Sequence, residues 1–335
     1  MYKFTDITAE RVLHPNMKNV RIMDIKGPTT ANNGVSFEWN SYEDWKADRE
    51  VMFANRPGFQ SRVSHDDGTS LWGGSESWWG TNEGYKGVLR RLEDGWPELL
   101  EQLMKKIEDV ELDLPQFPSM SNVRRRKRRH DEFGDEVDMT RVWSGQLDTA
   151  WTRPVRTQRM ASNTKRINVA FDVTANGNVN NKMAMWRAAL AVLLCDSLAR
   201  CGRIFEIWVI DSTTRPFQSS WGVASSAYPQ RLWSSWCVKR TSDPLVLERL
   251  CGMVSVGFMR SAGFSAMGAS KWPPSGGFGG ALGDGFPAVL LERVQAGEQV
   301  MRIGQCYTRD AMLAEYRRAW EELERNIAAA QERQA

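Results

Sequence analysis

The second half of the chain, residues 167–335, alternates short apolar runs with helix-length segments, and this alternation constrains the fold more than any other feature. INVAFDV (167–173) and IFEIWVID (204–211) are continuous apolar runs of strand length, typical of strands that are buried on both faces. Between them, NKMAMWRAALAVLLCDSLARCG (181–202) has the length of a helix and ends close to a glycine. The order strand, helix, strand predicts an α/β fold in which a parallel sheet carries helices on both faces.

Weaker signals follow in the same half of the chain. MVSVGFMR (253–260) and QVMRIGQC (299–306) predict two further strands, and a short helix is expected near 286–296. The segment after Thr308 has the periodicity of an amphipathic helix. These elements would complete an α/β domain that spans residues 167–335.

The first 113 residues are predicted to form a smaller, mainly helical region after an extended start. Ser41 and Asp44 have the spacing of a helix N-cap and the first turn behind it. Gly95 is well placed to end a helix, and Pro97 suits the first turn of the next one. We therefore expect three parts, namely a tryptophan-rich helical region (1–113), a basic linker or arm (114–166) and the α/β domain.

The arm carries the most unusual charge pattern. The chain as a whole has a net charge of only +3, whereas residues 114–166 contain 12 Lys and Arg against six Asp and Glu. Guanidinium groups neutralise phosphates and indole rings stack on bases, so interleaving the two predicts a groove for single-stranded nucleic acid. The candidate binding residues are Arg124, Arg125, Arg126, Lys127, Arg128, Arg129, Trp143, Trp151, Arg153, Arg156 and Arg159.

Two other interpretations of the basic arm stay open. It is either a solvated, solubilising run or a segment that docks on an acidic protein surface. The acidic residues that follow it would pair with the arginines internally and weaken its attraction for nucleic acid. These residues are Asp131, Glu132, Asp135, Glu136 and Asp138.

A second candidate site follows the first strand of the α/β domain. Asp172, Thr174 and Asn176 are oxygen-bearing residues at alternate positions, and such side chains can converge on a hard cation such as Mg²⁺. Open α/β sheets also bind ligands at the carboxyl ends of their strands. The alternative is a turn rich in Asp, Thr and Asn that caps the following helix. Asp211, at the end of the second apolar run, is an additional carboxylate.

No motif in the sequence indicates an enzyme. The chain has no Gly-x-Ser-x-Gly, Cys-x-x-Cys or His-Glu-x-x-His pattern, and it contains only three histidines. Its five cysteines do not form a disulfide framework, and no apolar window is long enough to span a membrane. We expect a non-enzymatic cytoplasmic protein that does not associate with membranes.

Two sets of motifs resemble known families. The Asp172-x-Thr174-x-Asn176 loop and the βα order after it resemble the metal-adhesion loop of von Willebrand factor A-type domains, which implies Mg²⁺ as a possible cofactor. Ser77-Trp78-Trp79-Gly80-Thr81 and Gly95-Trp96-Pro97-Glu98 resemble a bacteriophage family of tryptophan-rich proteins with a von Willebrand factor A-like half.

The same motifs are similar to those of a protein from podoviruses that carry a giant virion RNA polymerase. That protein binds single-stranded DNA and recruits the phage RNA polymerase. This resemblance implies an adaptor that works in transcription, in the cytoplasm of the infected bacterial host. The von Willebrand resemblance implies a different role, that of a metal-dependent interaction module whose partner is an ATPase or a virion protein.

Overall fold

The structure is a computed structural model. In it the chain forms two compact units. One unit combines residues 1–114 with 165–335, and the other comprises residues 115–164. The residues that the structure describes are 2–6, 17–28, 33–54, 80–81, 83–108, 110, 128–131, 136–137, 139–146, 150–154, 166–175, 179–201, 203–214, 231–263 and 285–332.

The larger unit is built on a seven-stranded sheet with the order β1-β2-β3-β9-β8-β7-β10. Its strands are β1 (Lys3–Asp6), β2 (Val20–Lys26), β3 (Gly34–Trp39), β7 (Ile167–Asp172), β8 (Phe205–Thr214), β9 (Arg231–Lys239) and β10 (Gln299–Ile303). Strands and helices alternate through its second half, so the α/β class is confirmed.

The sheet is mixed, and the prediction of a parallel sheet is wrong. The pairs β7–β8, β7–β10 and β3–β9 are parallel, as expected for strands joined by long crossovers. However, β9 runs antiparallel to β8, and β1, β2 and β3 form an antiparallel meander. The apolar runs predict buried strands correctly, but they carry no information on strand direction.

The N-terminal region is part of the same sheet. Residues Gly34–Trp39 pair in register with Arg231–Trp236, so β3 joins the meander of the first 40 residues to the α/β half. All six residues of β3 are buried, because a strand inside the sheet is covered on both faces. The helical region expected over 1–113 and the α/β domain expected over 167–335 therefore lie in one compact unit, and residues 115–164 between them form the other.

Helices cover this sheet, and most of them lie where the sequence predicts them. They are α1 (Tyr42–Ala54), α2 (Gly84–Asp94), α3 (Pro97–Glu108), α5 (Asn181–Arg200), α6 (Leu247–Met253), α7 (Val256–Phe258), α8 (Ala288–Gln295) and α9 (Arg309–Glu332). The N–H of Asp44 donates to Ser41 Oγ at 3.0 Å, as the predicted cap requires. No described helix combines the length and hydropathy needed to cross a membrane.

One predicted strand is helical. MVSVGFMR (253–260) runs through the end of α6 and α7 into a π-helical turn, Met259–Gly263. Ser255 breaks the run, and its Oγ accepts the N–H of Phe258 at 3.1 Å to start α7. The segment is buried on all sides, so it shows neither a strand period nor a helix period in the sequence.

The smaller unit contains a three-stranded antiparallel sheet with the order β4-β6-β5 and one short helix. The strands are β4 (Arg128–Asp131), β5 (Glu136–Val137) and β6 (Trp151–Pro154), and the helix is α4 (Met139–Trp143). The predicted basic linker thus has regular structure and its own compact fold.

Candidate functional site

The end of β7 holds the first predicted metal ligand, Asp172. Its side chain is buried, and its Oδ1 accepts the N–H of Thr174 at 3.0 Å, which folds the chain into a tight turn after the strand. Burial raises the pKa of Asp172, although the hydrogen bonds from Thr174 and the charges of Arg187 and Arg302 oppose this.

Thr174 connects this turn to both neighbouring strands. Its Oγ1 accepts the N–H of Ser212 in β8 at 3.1 Å. Its carbonyl oxygen accepts hydrogen bonds from Arg187, Gln305 and Tyr307, at 3.3, 3.1 and 3.0 Å. With three donors already on the carbonyl, the hydroxyl is the oxygen of Thr174 that remains suited to a ligand.

Asp211 lies beside this pair and is the most unusual group in the site. Its side chain is 1% exposed, and neither carboxylate oxygen makes a hydrogen bond of normal geometry within the described chain. Burial and the nearby Asp172 raise the pKa of Asp211 to about 8, whereas the hydroxyl of Thr174 and the N–H of Ser212 act in the opposite direction. A buried carboxylate that lacks well-formed hydrogen bonds and lies beside a second carboxylate requires a proton or a bound cation.

The π-helical turn covers Asp211 directly. A Cβ atom added to Gly263 would lie 2.6 Å from Asp211 Oδ2, so only a glycine allows the backbone to come this close. The position of Gly263 is therefore explained by the carboxylate that it covers.

Two buried arginines complete the site, and the sequence analysis did not identify either of them. Arg187 is fully buried in α5, where it donates to the carbonyl oxygens of Thr174 and, at 3.1 Å, Val254. Arg260 donates to the carbonyl of Val179 at 2.6 Å, and burial lowers its pKa to about 10, helped by the charge of Arg187. For Arg187, the available signal was a charged residue between apolar neighbours in a mainly apolar helix.

The donor set of Asp172, Thr174 and Asp211 fits a hard cation. Two carboxylates and a hydroxyl are oxygen ligands of the type that Mg²⁺ prefers, and the unpartnered carboxylate of Asp211 would gain a partner. Asn176, the third predicted ligand, lies outside the described residues. The described part of the chain contains no group of three or more His, Cys, Asp or Glu that could hold a metal ion.

The predicted nucleic-acid-binding residues all belong to the smaller unit, residues 115–164. Arg128 and Arg129 lie in β4, and Trp151 and Arg153 lie in β6. The antiparallel register places Arg129 opposite Arg153. The other predicted binding residues lie outside the described residues; these are Arg124, Arg125, Arg126, Lys127, Arg156 and Arg159. The same is true of Trp78 and Trp79.

Trp143 is the most exposed large apolar side chain among the described residues. It ends the one-turn helix α4, which Gly145 closes in a left-handed conformation with φ of 78°. Its side chain is 83% exposed. Five other tryptophans are almost fully buried, so exposure is not the general state of tryptophan in this protein; these are Trp39, Trp45, Trp208, Trp233 and Trp236.

A family model described as a domain of unknown function, DUF7192, matches residues 33–312. The chain belongs to this family. The DUF7192 match begins next to β3 and ends in α9, so it includes both the Asp172–Asp211 site and the smaller basic unit. No curated protein and no solved structure matches the chain significantly.

Proposed function

We propose that this DUF7192 protein is a non-enzymatic adaptor that binds single-stranded DNA through residues 115–164. In this proposal the larger unit presents a surface to the phage RNA polymerase, in the cytoplasm of the infected bacterial host. The polymerase and the phage setting come from the resemblance of the Trp-Gly-Thr and Gly-Trp-Pro motifs.

The single observation that carries the DNA-binding role is the exposure of Trp143 within the basic unit. An indole that is 83% exposed is unfavourable in water and is available for stacking on a base. Base stacking on an aromatic side chain is worth about 1–3 kcal/mol per base and tolerates any sequence.

The register of the small sheet supports the same role. Arg129 and Arg153 occupy directly opposite positions in β4 and β6. Like charges at such positions of an antiparallel pair are unfavourable in general, and a phosphate bound at both positions would compensate them. The site would thus combine one stacking residue with a pair of phosphate-binding positions.

The test is fluorescence anisotropy with a labelled single-stranded oligonucleotide and a labelled duplex, each over a series of salt concentrations. For single strands, the logarithm of the affinity should fall against the logarithm of the salt concentration with a slope of about 0.7 per phosphate contact. The variant Arg129→Gln/Arg153→Gln should lower this slope. The same loss of charge at exposed positions of the larger unit, Lys105→Gln/Arg200→Gln, is the matched control.

The proposal fails if wild-type protein does not bind either oligonucleotide at low salt. It also fails if both double variants lose the same affinity, because binding would then follow net charge and not the smaller unit. Preference for the duplex would contradict the assignment of single-stranded DNA as the ligand.

One observation favours a second candidate function, a metal-dependent interaction module whose partner is an ATPase or a virion protein. It is the buried carboxylate of Asp211, which makes no hydrogen bond of normal geometry with the described residues and lies beside Asp172 and Thr174. These residues would hold a divalent cation, which would supply an electrophilic contact for a carboxylate of the partner.

Mg²⁺ titration followed by thermal unfolding tests this candidate. Mg²⁺ should raise the melting temperature of the wild type but not of Asp172→Asn or Asp211→Asn. The surface variant Asp310→Asn should respond like the wild type, because this side chain is 93% exposed. An equal response in all four proteins would exclude a metal at this position, and it would leave the DNA-binding proposal unaffected.

A further inference from the structure

In the larger unit, a cavity of about 200 Å³ lies between the sheet and helix α6, and its lining includes none of the residues of the Asp172–Asp211 site. Its walls come from β8, the end of β9, the loop after β9 and the helix itself. Its lining includes Ile207, Val238, Lys239, Leu245, Arg249 and Leu250.

An irregularity in the sheet shapes this cavity. Ile207 pairs with Lys239, but the next residue of β8, Trp208, pairs with Cys237, so Val238 is an extra residue in β9. Such a β-bulge bends the strand and changes the direction in which its side chains point. The bulge places consecutive residues of one strand, Val238 and Lys239, in the lining of the same cavity.

Lys239 brings a buried ammonium group to the cavity. Its Nζ donates to the carbonyl oxygens of Phe205 at 3.1 Å and Arg240 at 2.8 Å. No described carboxylate lies within ion-pair distance of it, and burial lowers its pKa. The ammonium thus makes hydrogen bonds to neutral groups only, while the charges of Asp243 and Glu206 act on it from beyond ion-pair distance.

Arg249 adds a second cation from α6. Its half-buried side chain makes no hydrogen bond or ion pair with any residue in the described ranges. The lining also contains one acidic residue, Asp243, which accepts the N–H of Arg240 at 2.9 Å and the hydroxyl of Ser242 at 3.1 Å. The cavity therefore holds two cations and one carboxylate, so its lining keeps an excess of positive charge.

The remaining lining is aliphatic. Ile207, Val238, Leu245 and Leu250 contribute only carbon atoms from their side chains, and Val246 at the rim is 43% exposed. A fully polar anion such as phosphate would leave this surface without a partner. A volume of about 200 Å³ is smaller than the roughly 300–1,000 Å³ of sites for drug-sized ligands, so the ligand has to be small.

We propose that this cavity binds a carboxylate carried on a short aliphatic chain. The carboxylate lies between Lys239 and Arg249, and the aliphatic chain packs against Ile207, Val238 and Leu250. Its source is either a free short-chain acid or the last residue of a polypeptide with an aliphatic side chain. This site is independent of the proposed DNA-binding function.

Methyl NMR of the full chain, titrated with isovalerate and with its neutral analogue isovaleramide, tests this proposal. Isovalerate should shift the methyl signals of Ile207, Val238 and Leu250 with a dissociation constant on the order of 1 mM. Isovaleramide should bind roughly tenfold more weakly, because it lacks the charge that pairs with the two cations.

Arg249→Gln is the informative variant, because it removes no hydrogen bond or ion pair that this arginine makes with the described residues. It should weaken isovalerate binding roughly fivefold to tenfold. The matched control is Arg240→Gln, whose guanidinium instead donates to the carbonyl of Asn40, at 3.2 Å. The proposal is overturned if isovalerate causes no shift, if the acid and amide bind equally, or if both variants weaken binding to the same extent.

A further arm distinguishes the two sources of the carboxylate. N-acetyl-leucine mimics the last residue of a polypeptide, and N-acetyl-leucinamide is its neutral control. Tighter binding of N-acetyl-leucine than of isovalerate supports a polypeptide terminus as the ligand, whereas the reverse order supports a free acid.

Discussion

Trp39 of β3 and Trp236 of β9 stack face to face, with ring centroids 5.5 Å apart and ring planes inclined by only 7°. The two residues are register partners in a parallel pair of strands, and both are buried. Phe258 packs edge-on against Trp236 with a centroid distance of 5.1 Å, and Trp45 packs against Phe258. This aromatic cluster joins the N-terminal meander to the α/β half as one core.

Removing one ring of the stack should destabilise the whole larger unit. Trp236→Ala is expected to lower the free energy of unfolding by about 3–5 kcal/mol, because it leaves a cavity between β3 and helix α7. Urea denaturation followed by far-UV circular dichroism measures this loss. Trp143→Ala, which removes an exposed ring, should change stability by less than about 0.5 kcal/mol. Similar losses in both variants would contradict a shared core at Trp236.

A buried hydroxyl links β3 to the start of α8. Ser36 Oγ accepts the N–H of Ala288 at 3.2 Å and donates to Glu38 Oε1 at 3.1 Å. Glu38 Oε1 also accepts the N–H of Val289, at 2.7 Å. Ser36→Ala leaves a buried N–H without a partner, so we expect a loss of about 1–3 kcal/mol in thermal or urea unfolding. The exposed Ser242→Ala is the control, and an equal effect there would remove this explanation.

The pH dependence of stability should report on Asp211. Its pKa is raised from 3.8 to about 8 in the folded protein, so between these values the unfolded chain releases a proton that the folded chain keeps. The stability that this group contributes is fully present below pH 3.8 and is lost as the pH rises towards 8.

Asp211→Asn keeps the shape of the protonated acid but removes the titration. In metal-free buffer it should flatten the decline in stability between pH 5 and 8, and at pH 8 it should exceed the wild type by at least about 1 kcal/mol. Urea unfolding at a series of pH values measures both effects. Parallel curves for wild type and variant would show that Asp211 does not hold its proton in the folded state.

Trp143 should contribute to DNA binding through its ring and not through its indole N–H. Trp143→Ala is expected to weaken single-strand binding by about 1–3 kcal/mol, whereas Trp143→Phe should retain most of the affinity because a phenyl ring also stacks. Anisotropy at constant salt measures both variants. If both lose the same affinity, a hydrogen bond would explain the contribution better than stacking would.

Continuous apolar runs predicted the centre of the sheet well. The run 167–173 corresponds to β7 (Ile167–Asp172), and the predicted helix 181–202 corresponds to α5 (Asn181–Arg200). In these segments burial on all sides and segment length point to the same structure. Sequence alone was sufficient here because local pattern and tertiary environment agree.

β9 was not predicted, since its sequence RLWSSWCVK contains two adjacent serines. Both are fully buried, and Ser235 Oγ donates to the carbonyl of Phe37 at 3.3 Å. Ser234 Oγ makes no hydrogen bond with the described residues, whereas the neighbouring strand supplies the partner of Ser235. That partner lies about 200 residues earlier in the chain, where no local pattern can reveal it.

Only the part of the candidate metal site that is local in the sequence was predicted, because its other residues come from distant segments. Asp172 and Thr174 are close in the sequence and follow a recognisable strand, so their pairing could be expected. Arg187 contacts Thr174, and Arg260 contacts Val179, only because α5 and the π-helical turn fold over the strand ends. An isolated charge in an apolar helix indicates that some partner exists, but it does not identify the partner.

The parallel pairing of β3 with β9 also has a consequence for synthesis on the ribosome. β3 leaves the ribosome about 200 residues before its partner strand is made, and at roughly 5–20 residues per second this delay lasts on the order of ten seconds or more. Throughout that time, the edge of Gly34–Trp39 that later pairs with β9 is open to other chains. A nascent chain that stops before β9 would therefore expose an unpaired strand edge that is prone to aggregation, and we expect chaperones to bind it.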